Sequence, residues 1–235
     1  MPNSYFQFKQ FRIEQDQAGM KVTTDGCLFG ALIDPDQEGP ILDIGTGTGL
    51  LSLMLAQRTL ATIDGIEIDA GVAKQASENM TTSPWSSRLT THHTSLQKFE
   101  PRKKYKQIIS NPPFFKNNSP SSSKKRTLAI HSDLLPMDNL LELSLRLLDQ
   151  NGTLWLMYPP HEMSTFIKKA IDQGLYLQKQ VLVANRPGEV PIRSVCSFAQ
   201  LQSLSPIKTE LSIRTEQNEY TDEFKVLLKD YYLHL

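Results

Sequence analysis

A surplus of charge of either sign is missing from this sequence, in which 25 Lys and Arg face 25 Asp and Glu. A chain without a net field does not grip long duplex by overall attraction, although a compact RNA can still be met by a local patch. Cysteine is scarce as well. Cys27 and Cys196 lie far apart and form no Cys-x-x-Cys pair, so neither a disulfide framework nor a zinc site is indicated. No apolar run approaches a bilayer span, and Met1-Pro-Asn-Ser-Tyr-Phe-Gln7 lacks the apolar core of a signal peptide. These absences point to a cytoplasmic protein with no membrane or metal partner. No internal repeat occurs, and low complexity is confined to Ser119-Pro-Ser-Ser-Ser-Lys-Lys125. What is present is globular. At 235 residues and 39% hydrophobic content, the chain suits a single domain with a sizeable core.

Residues 1–40 read as a preamble to that domain. Phe6, Phe8, Phe11 and Ile13 are loosely alternating apolar positions. A turn at Ala18-Gly19 then allows Met20-Lys-Val-Thr23 to return as a second strand of a small hairpin. Thr24-Asp25-Gly26 is a cap-like start for a helix over roughly Cys27 to Ile33.

From residue 41 to the end, strands and helices alternate. The expected strands are Ile41–Ile44, Thr62–Ile68, Arg88–His93, Tyr105–Ser110 and Thr153–Tyr158, with two further runs at Leu175–Ala184 and Ser194–Leu201. Helices are expected near 48–57, 71–80, 134–148 and 161–173. Short loops between alternating elements imply a mostly parallel sheet with helices on both faces. The last two strands have no helix between them and should pair as an antiparallel hairpin.

The stretch Ile41-Leu-Asp-Ile-Gly-Thr-Gly-Thr-Gly49 organises that core. A strand ends at three alternate glycines, and an apolar helix opens directly after them. Bare backbone at a helix start lets a ligand come close. A dinucleotide fingerprint needs Gly-x-Gly-x-x-Gly, and here its third glycine position is held by Leu50. Asp43, in the strand before the loop, repels a pyrophosphate but suits a ligand with a positive end. A tight turn with no ligand is the plainer alternative, and three glycines within five residues behind an acid weigh against it. The stretch resembles the first motif of class I methyltransferases. That likeness implies a Rossmann-like fold with a seven-stranded, mostly parallel sheet, and S-adenosylmethionine held by Asp43, Gly45, Thr46, Gly47 and Gly49.

Ligands of such sheets sit beyond the carboxyl ends of the strands. Glu67 ends the second strand, where a carboxylate can accept hydrogen bonds from both ribose hydroxyls. Asp69 is its competitor and is expected to face water. Gly65-Ile-Glu-Ile-Asp69 is similar to the second motif of the same family, which favours Glu67. Ser95 follows the third strand, where the resemblance implies the adenine moiety of the cofactor. His92 and His93 are read as strand residues.

The fourth strand ends in Ser110-Asn-Pro-Pro-Phe114. Two prolines stiffen the chain, but rigidity alone does not call for an asparagine before them or an aromatic after. An exocyclic amine shares its lone pair with its ring and attacks poorly. The amide oxygen of Asn111 can accept one N–H and the Pro112 carbonyl the other, favouring charge on nitrogen and aiming its lone pair. Phe114 offers a face on which a splayed base can stack. Asn-Pro-Pro-Phe is similar to the fourth motif of enzymes that methylate planar NH2 groups, in which the asparagine also borders the cofactor.

The wider pattern is more specific. Met20-Lys-Val-Thr-Thr-Asp-Gly26, the glycine motif, Gly65–Asp69, Asn111–Phe114, Arg126-Thr-Leu-Ala-Ile-His131 and Tyr231-Tyr-Leu233 together resemble the bacterial tRNA1(Val) (adenine-N6)-methyltransferase family. The likeness spans essentially the whole chain and departs at Ile130, where an arginine is expected. It implies an enzyme acting on an adenine beside the valine anticodon, with Lys21 and His131 in its family-specific segments as RNA contacts, and a monomer is expected. Lys116, Lys124, Lys125 and Arg126 follow the fourth strand, on the active-site side, where they can meet phosphates. Arg186 flanks the loop between the last strands, where RNA contact and a solubilising turn charge are equally open. Pro101-Arg-Lys-Lys-Tyr-Lys106 is equally basic but precedes the fourth strand, so it is expected on the opposite rim as a solvated face.

Three alternatives stand beside this reading. A protein glutamine-amide methyltransferase normally carries a larger helical domain before the glycine motif and a tyrosine in place of Phe114. A non-catalytic RNA-binding protein on the same fold has no need of Asp43, Glu67 and Asn111 together. A nicotinamide oxidoreductase lacks its third glycine here.

Overall fold

A computed structural model describes residues 3–17, 20–113 and 135–235. The chain opens with a small hairpin of β1 (Tyr5–Gln7) and β2 (Arg12–Glu14), paired antiparallel with Phe6 opposite Ile13. The second strand is therefore earlier than the Met20–Thr23 expected from the sequence, and the Phe8 N–H donates to Phe11 O to close the turn. The reason is aromatic packing. Phe8 and Phe11 stack with centroids 4.4 Å apart, and both are buried. Val22 instead donates its N–H to the buried Gln15 side chain. The expected turn at Ala18-Gly19 lies outside the described residues.

Helix α1 (Thr24–Leu32) starts three residues before its expected position, because Thr23 is the cap and its hydroxyl accepts from the Gly26 N–H. The core then runs β3 (Ile41–Ile44), α2 (Leu50–Ala56), β4 (Ile63–Glu67), α3 (Ala70–Thr81), β5 (Leu89–His93) and β6 (Tyr105–Ser110). After residue 135 come α4 (Met137–Leu147), β7 (Leu148–Tyr158), α5 (Pro160–Asp172), β8 (Tyr176–Ala184), β9 (Arg193–Ala199), β10 (Ile207–Ser212) and α6 (Asp222–Leu228).

The sheet order is β10-β8-β9-β7-β6-β3-β4-β5. Only β9 runs against the others, pairing antiparallel with both β7 and β8. The expected antiparallel hairpin is thus present. The sheet has eight strands rather than seven, since β10 adds parallel to β8 at the edge. Four of its six residues are exposed. An edge strand that meets water carries no apolar alternation, and so left no mark in the sequence.

Alternation along the central strands sends side chains to two cores. Ile41, Ile109, Trp155, Met157 and Val195 pack with α1, α2, α6 and the hairpin aromatics. Leu42, Ile44, Ile108, Leu154, Leu156 and Phe198 pack with α4 and α5 on the other face. Tyr231, 2% exposed, donates its hydroxyl to Met54 O at 3.0 Å, and its carbonyl accepts from the Lys9 N–H at 2.8 Å. The C-terminus thereby ties the hairpin to α2.

Candidate active site

The carboxyl ends of β3, β4 and β6 meet where the sequence places its motifs. Gly45, Gly47 and Gly49 all have positive φ (70°, 58° and 83°). A Cβ added at Gly45 or Gly47 meets nothing within 4 Å. These two positions are therefore glycine for conformation and for an open backbone, not for packing. The N–H groups of Gly45 and Thr46 both donate to Ile66 O at 3.0 Å, and that of Gly49 donates to Thr46 O at 2.9 Å. Gly65, within β4, is where Thr46 sits down, since a Cβ there lies 3.0 Å from the threonine side chain.

Asp43 is completely buried beneath the loop. Its Oδ2 accepts from the hydroxyls of Thr46 and Ser52, both at 2.7 Å, while Oδ1 has no partner among the described residues. Burial pushes its carboxyl up to about 6, against the pull of the two hydroxyls and with the Glu67 charge adding to the rise. Asp43 thus anchors the loop before it serves any ligand. Ser52 was not singled out in the sequence, although it is the one polar residue in Leu50–Ala56.

Glu67 is 7% exposed. Its Oε2 accepts the Gly47 N–H at 3.1 Å, and its Oε1 accepts those of Ile68 and Asp69 at 2.8 and 3.0 Å. A carboxylate oxygen has two lone pairs, so Oε2 keeps one for a further donor. Asp69 is exposed and caps α3, accepting from Gly71 and Val72. The geometry therefore separates the two acids as the motif reading does. The Thr94 N–H donates to Glu67 O at 2.9 Å, which brings half-buried Ser95 next to the end of β4.

Ser110 fastens the fourth motif to the first, with its hydroxyl on Ile44 O at 2.8 Å. The pairing of Ile44 with Ser110 sets Gly45 beside Asn111. Asn111 Oδ1 is buried and has no hydrogen-bond partner among the described residues. Pro112 is buried and Pro113 half-buried. Phe114, Lys116, Lys124, Lys125, Arg126 and His131 lie outside the described residues.

At the rim, Gly26 in α1 packs against Leu50 at the start of α2, and Asp25 pairs with Arg193 at 2.6 Å. Lys21 donates to Asn3 O at 3.0 Å. Arg186 pairs with Glu189 at 3.3 Å and donates to Asn218 Oδ1 at 3.2 Å. The other basic cluster is engaged within the chain. Lys103 pairs with Asp64, Lys106 with Asp149, and Lys104 donates to Arg146 O. His92 bonds Asp64 and His93 bonds Ile68 O, as structural histidines do. Among the described residues, no group of His, Cys, Asp and Glu side chains could hold a metal ion, and no helix is long and apolar enough to cross a membrane.

The residues fit a cofactor with hydroxyls and a positive centre. They supply an open glycine cradle, a buried carboxylate oxygen and a buried amide oxygen without partners among the described residues, and Glu67 at the edge of the loop. Comparison with known proteins agrees. A family model described as methyltransferase small domain matches residues 26–180. A protein of Trichodesmium erythraeum (strain IMS101), named tRNA1(Val) (adenine(37)-N6)-methyltransferase, is 42% identical over 99% of this chain and 99% of its own. A protein of the same name from Parabacteroides distasonis is 38% identical over the full length of both. Among solved structures, a protein of Agrobacterium tumefaciens described as a predicted O-methyltransferase is similar with a TM-score of 0.67. It covers 87% of this chain and 95% of its own, and at 17% identity it shows the shared fold alone.

Proposed function

The chain belongs to the tRNA1(Val) (adenine(37)-N6)-methyltransferase family, within the methyltransferase small domain group, and from that premise we propose that it methylates N6 of adenine-37 in valine tRNA. Asp43, Gly45, Thr46, Gly47, Gly49, Glu67, Ser95 and Asn111 hold S-adenosylmethionine. Bound there, the cofactor supplies an electrophilic methyl group on a sulfonium that leaves as a neutral thioether.

The observation that carries this reading is the buried Oδ1 of Asn111 beside the glycine loop, which has no partner among the described residues. An orphaned buried acceptor is costly unless a donor completes it, and an exocyclic amine is such a donor. With Asn111 Oδ1 on one N–H and the Pro112 carbonyl on the other, the amine is held with its lone pair turned out of the ring. Both acceptors strengthen as positive charge grows on nitrogen, so they bind the transition state more tightly than the ground state. The methylated amine is acidic enough to lose its proton to water. Phe114 supplies the stacking face for the base, which an anticodon loop presents at little unstacking cost. Lys21, Lys116, Lys124, Lys125, Arg126, His131 and Arg186 meet the RNA, Arg186 by exchanging Glu189 for phosphate. The enzyme works as a cytoplasmic monomer.

Transfer of labelled methyl from S-adenosylmethionine to total tRNA from a strain lacking the gene tests the proposal. Labelled N6-methyladenosine in valine tRNA is the expected product. Label in protein with none in tRNA would replace it with a glutamine-amide methyltransferase.

A further inference from the structure

Two buried amides on α3 serve nothing described so far. Asn79, 2% exposed, donates through Nδ2 to Glu14 O and to Thr48 O, both at 2.9 Å. Its Oδ1 accepts the Glu14 N–H, also at 2.9 Å. One side chain therefore pairs with both backbone groups of Glu14 and spends its remaining N–H on the carbonyl between Gly47 and Gly49. Gln75, one turn earlier and also buried, accepts the Gln17 N–H at 3.2 Å and donates to Asp16. It grips the same N-terminal arm, and these bonds do not reach the loop.

The Thr48 carbonyl matters because its peptide leads into Gly49, whose positive φ leaves rotation on that side cheap. The Gly49 N–H of that peptide is held by Thr46 O, and Asn79 holds its oxygen. A swing of this peptide would break the Gly49 N–H bond to Thr46 O that closes the turn. An apolar residue at 79 would fill the same space yet leave Thr48 O, Glu14 O and the Glu14 N–H unpaired in the interior.

We infer that Asn79 is a positioning residue for the cofactor loop: its carboxamide presets the Gly45–Gly49 turn for S-adenosylmethionine and couples it to the arm that leads into Lys21 and α1. The inference rests on reading Gly45–Gly49 as the cofactor loop.

The test uses the full-length enzyme, with S-adenosylmethionine titrated by calorimetry and methylation of valine tRNA followed at varied cofactor. Asn79→Ala and Asn79→Asp should each raise Kd and KM for the cofactor about tenfold or more, the scale of leaving a buried carbonyl without its donor. At saturating cofactor kcat should stay within about twofold, because the loss lies in binding and not in the transition state alone. Asn79→Asp keeps the volume and the acceptor for Glu14, so it decides the matter if the alanine variant fails to fold. Gln75→Ala loosens the arm alone and should leave Kd within about twofold. An unchanged Kd in either folded Asn79 variant overturns the inference. So does an equal loss in Gln75→Ala, which would place the effect in the arm as a whole. A wild-type chain that does not bind S-adenosylmethionine fails differently, by removing the cofactor reading of the loop itself.

Discussion

Two side-chain oxygens at the site are buried without partners among the described residues, and they make separable demands. Asn111 Oδ1 is the acceptor proposed for the substrate amine. At saturating cofactor, Asn111→Ala should lower kcat roughly a hundredfold or more, the scale of losing an oxyanion-hole donor. Single-turnover methylation of a valine anticodon stem-loop reads this directly, and a near-normal rate would remove the amine-holding role. Asp43 Oδ1 belongs to a carboxylate whose burial raises its pKa to about 6. Its folded pKa lies above the unfolded value of 3.8. The fold therefore binds the proton more tightly than the open chain, and that stabilisation is complete below about pH 4. It is lost as pH rises through 6, by on the order of 3 kcal/mol from 1.36 kcal/mol per unit. Urea denaturation of the wild type and Asp43→Asn across that window should give profiles that differ by this slope, over the dependence that carboxylates such as Asp64 give to both. Parallel pH profiles would mean that Asp43 does not titrate on folding.

Among the elements, the C-terminal segment does more than its composition suggests. α6 and the residues after it close the core around α1, α2 and the hairpin, with Phe224, Leu228 and Tyr231 buried there. Tyr231→Phe removes only the hydroxyl bond to Met54 O and should cost about 1 kcal/mol, with the ring still packed. Tyr231→Ala removes the ring too and should cost about 3–5 kcal/mol, as deletion of a buried aromatic does. Denaturant midpoints at constant m-value check both. Equal losses from the two variants would show that the hydrogen bond, not the ring, holds the C-terminus.

At the scale of the whole molecule, a chain of zero net charge must present RNA with one face and not with its total field. Removing the charges of Lys124, Lys125 and Arg126 should weaken tRNA binding and flatten its dependence on salt, as lost phosphate contacts do. The same treatment of Arg102, Lys103 and Lys104 should do little to binding, since Lys103 and Lys104 already have partners within the chain. A larger effect from the second set would move the docking face to the other end of the sheet. Much of this molecule was legible in its sequence. The glycine turn, the acids at 43 and 67, and Asn-Pro-Pro announce themselves because local backbone conformation and strand ends need particular residues in order. The central strands are equally plain, since burial on two faces demands apolar runs. Residues 202–235 were not read as elements, because β10 is an exposed edge and α6 is short. Nor could the sequence separate the roles of Ser52, Asn79 and Ser110. Each is an ordinary polar residue until the fold carries it to a partner distant in the chain, such as Thr48 for Asn79 or Ile44 for Ser110. Local conformation is written in consecutive residues, whereas a buried hydrogen bond across the chain exists only once packing has brought both ends together and excluded water.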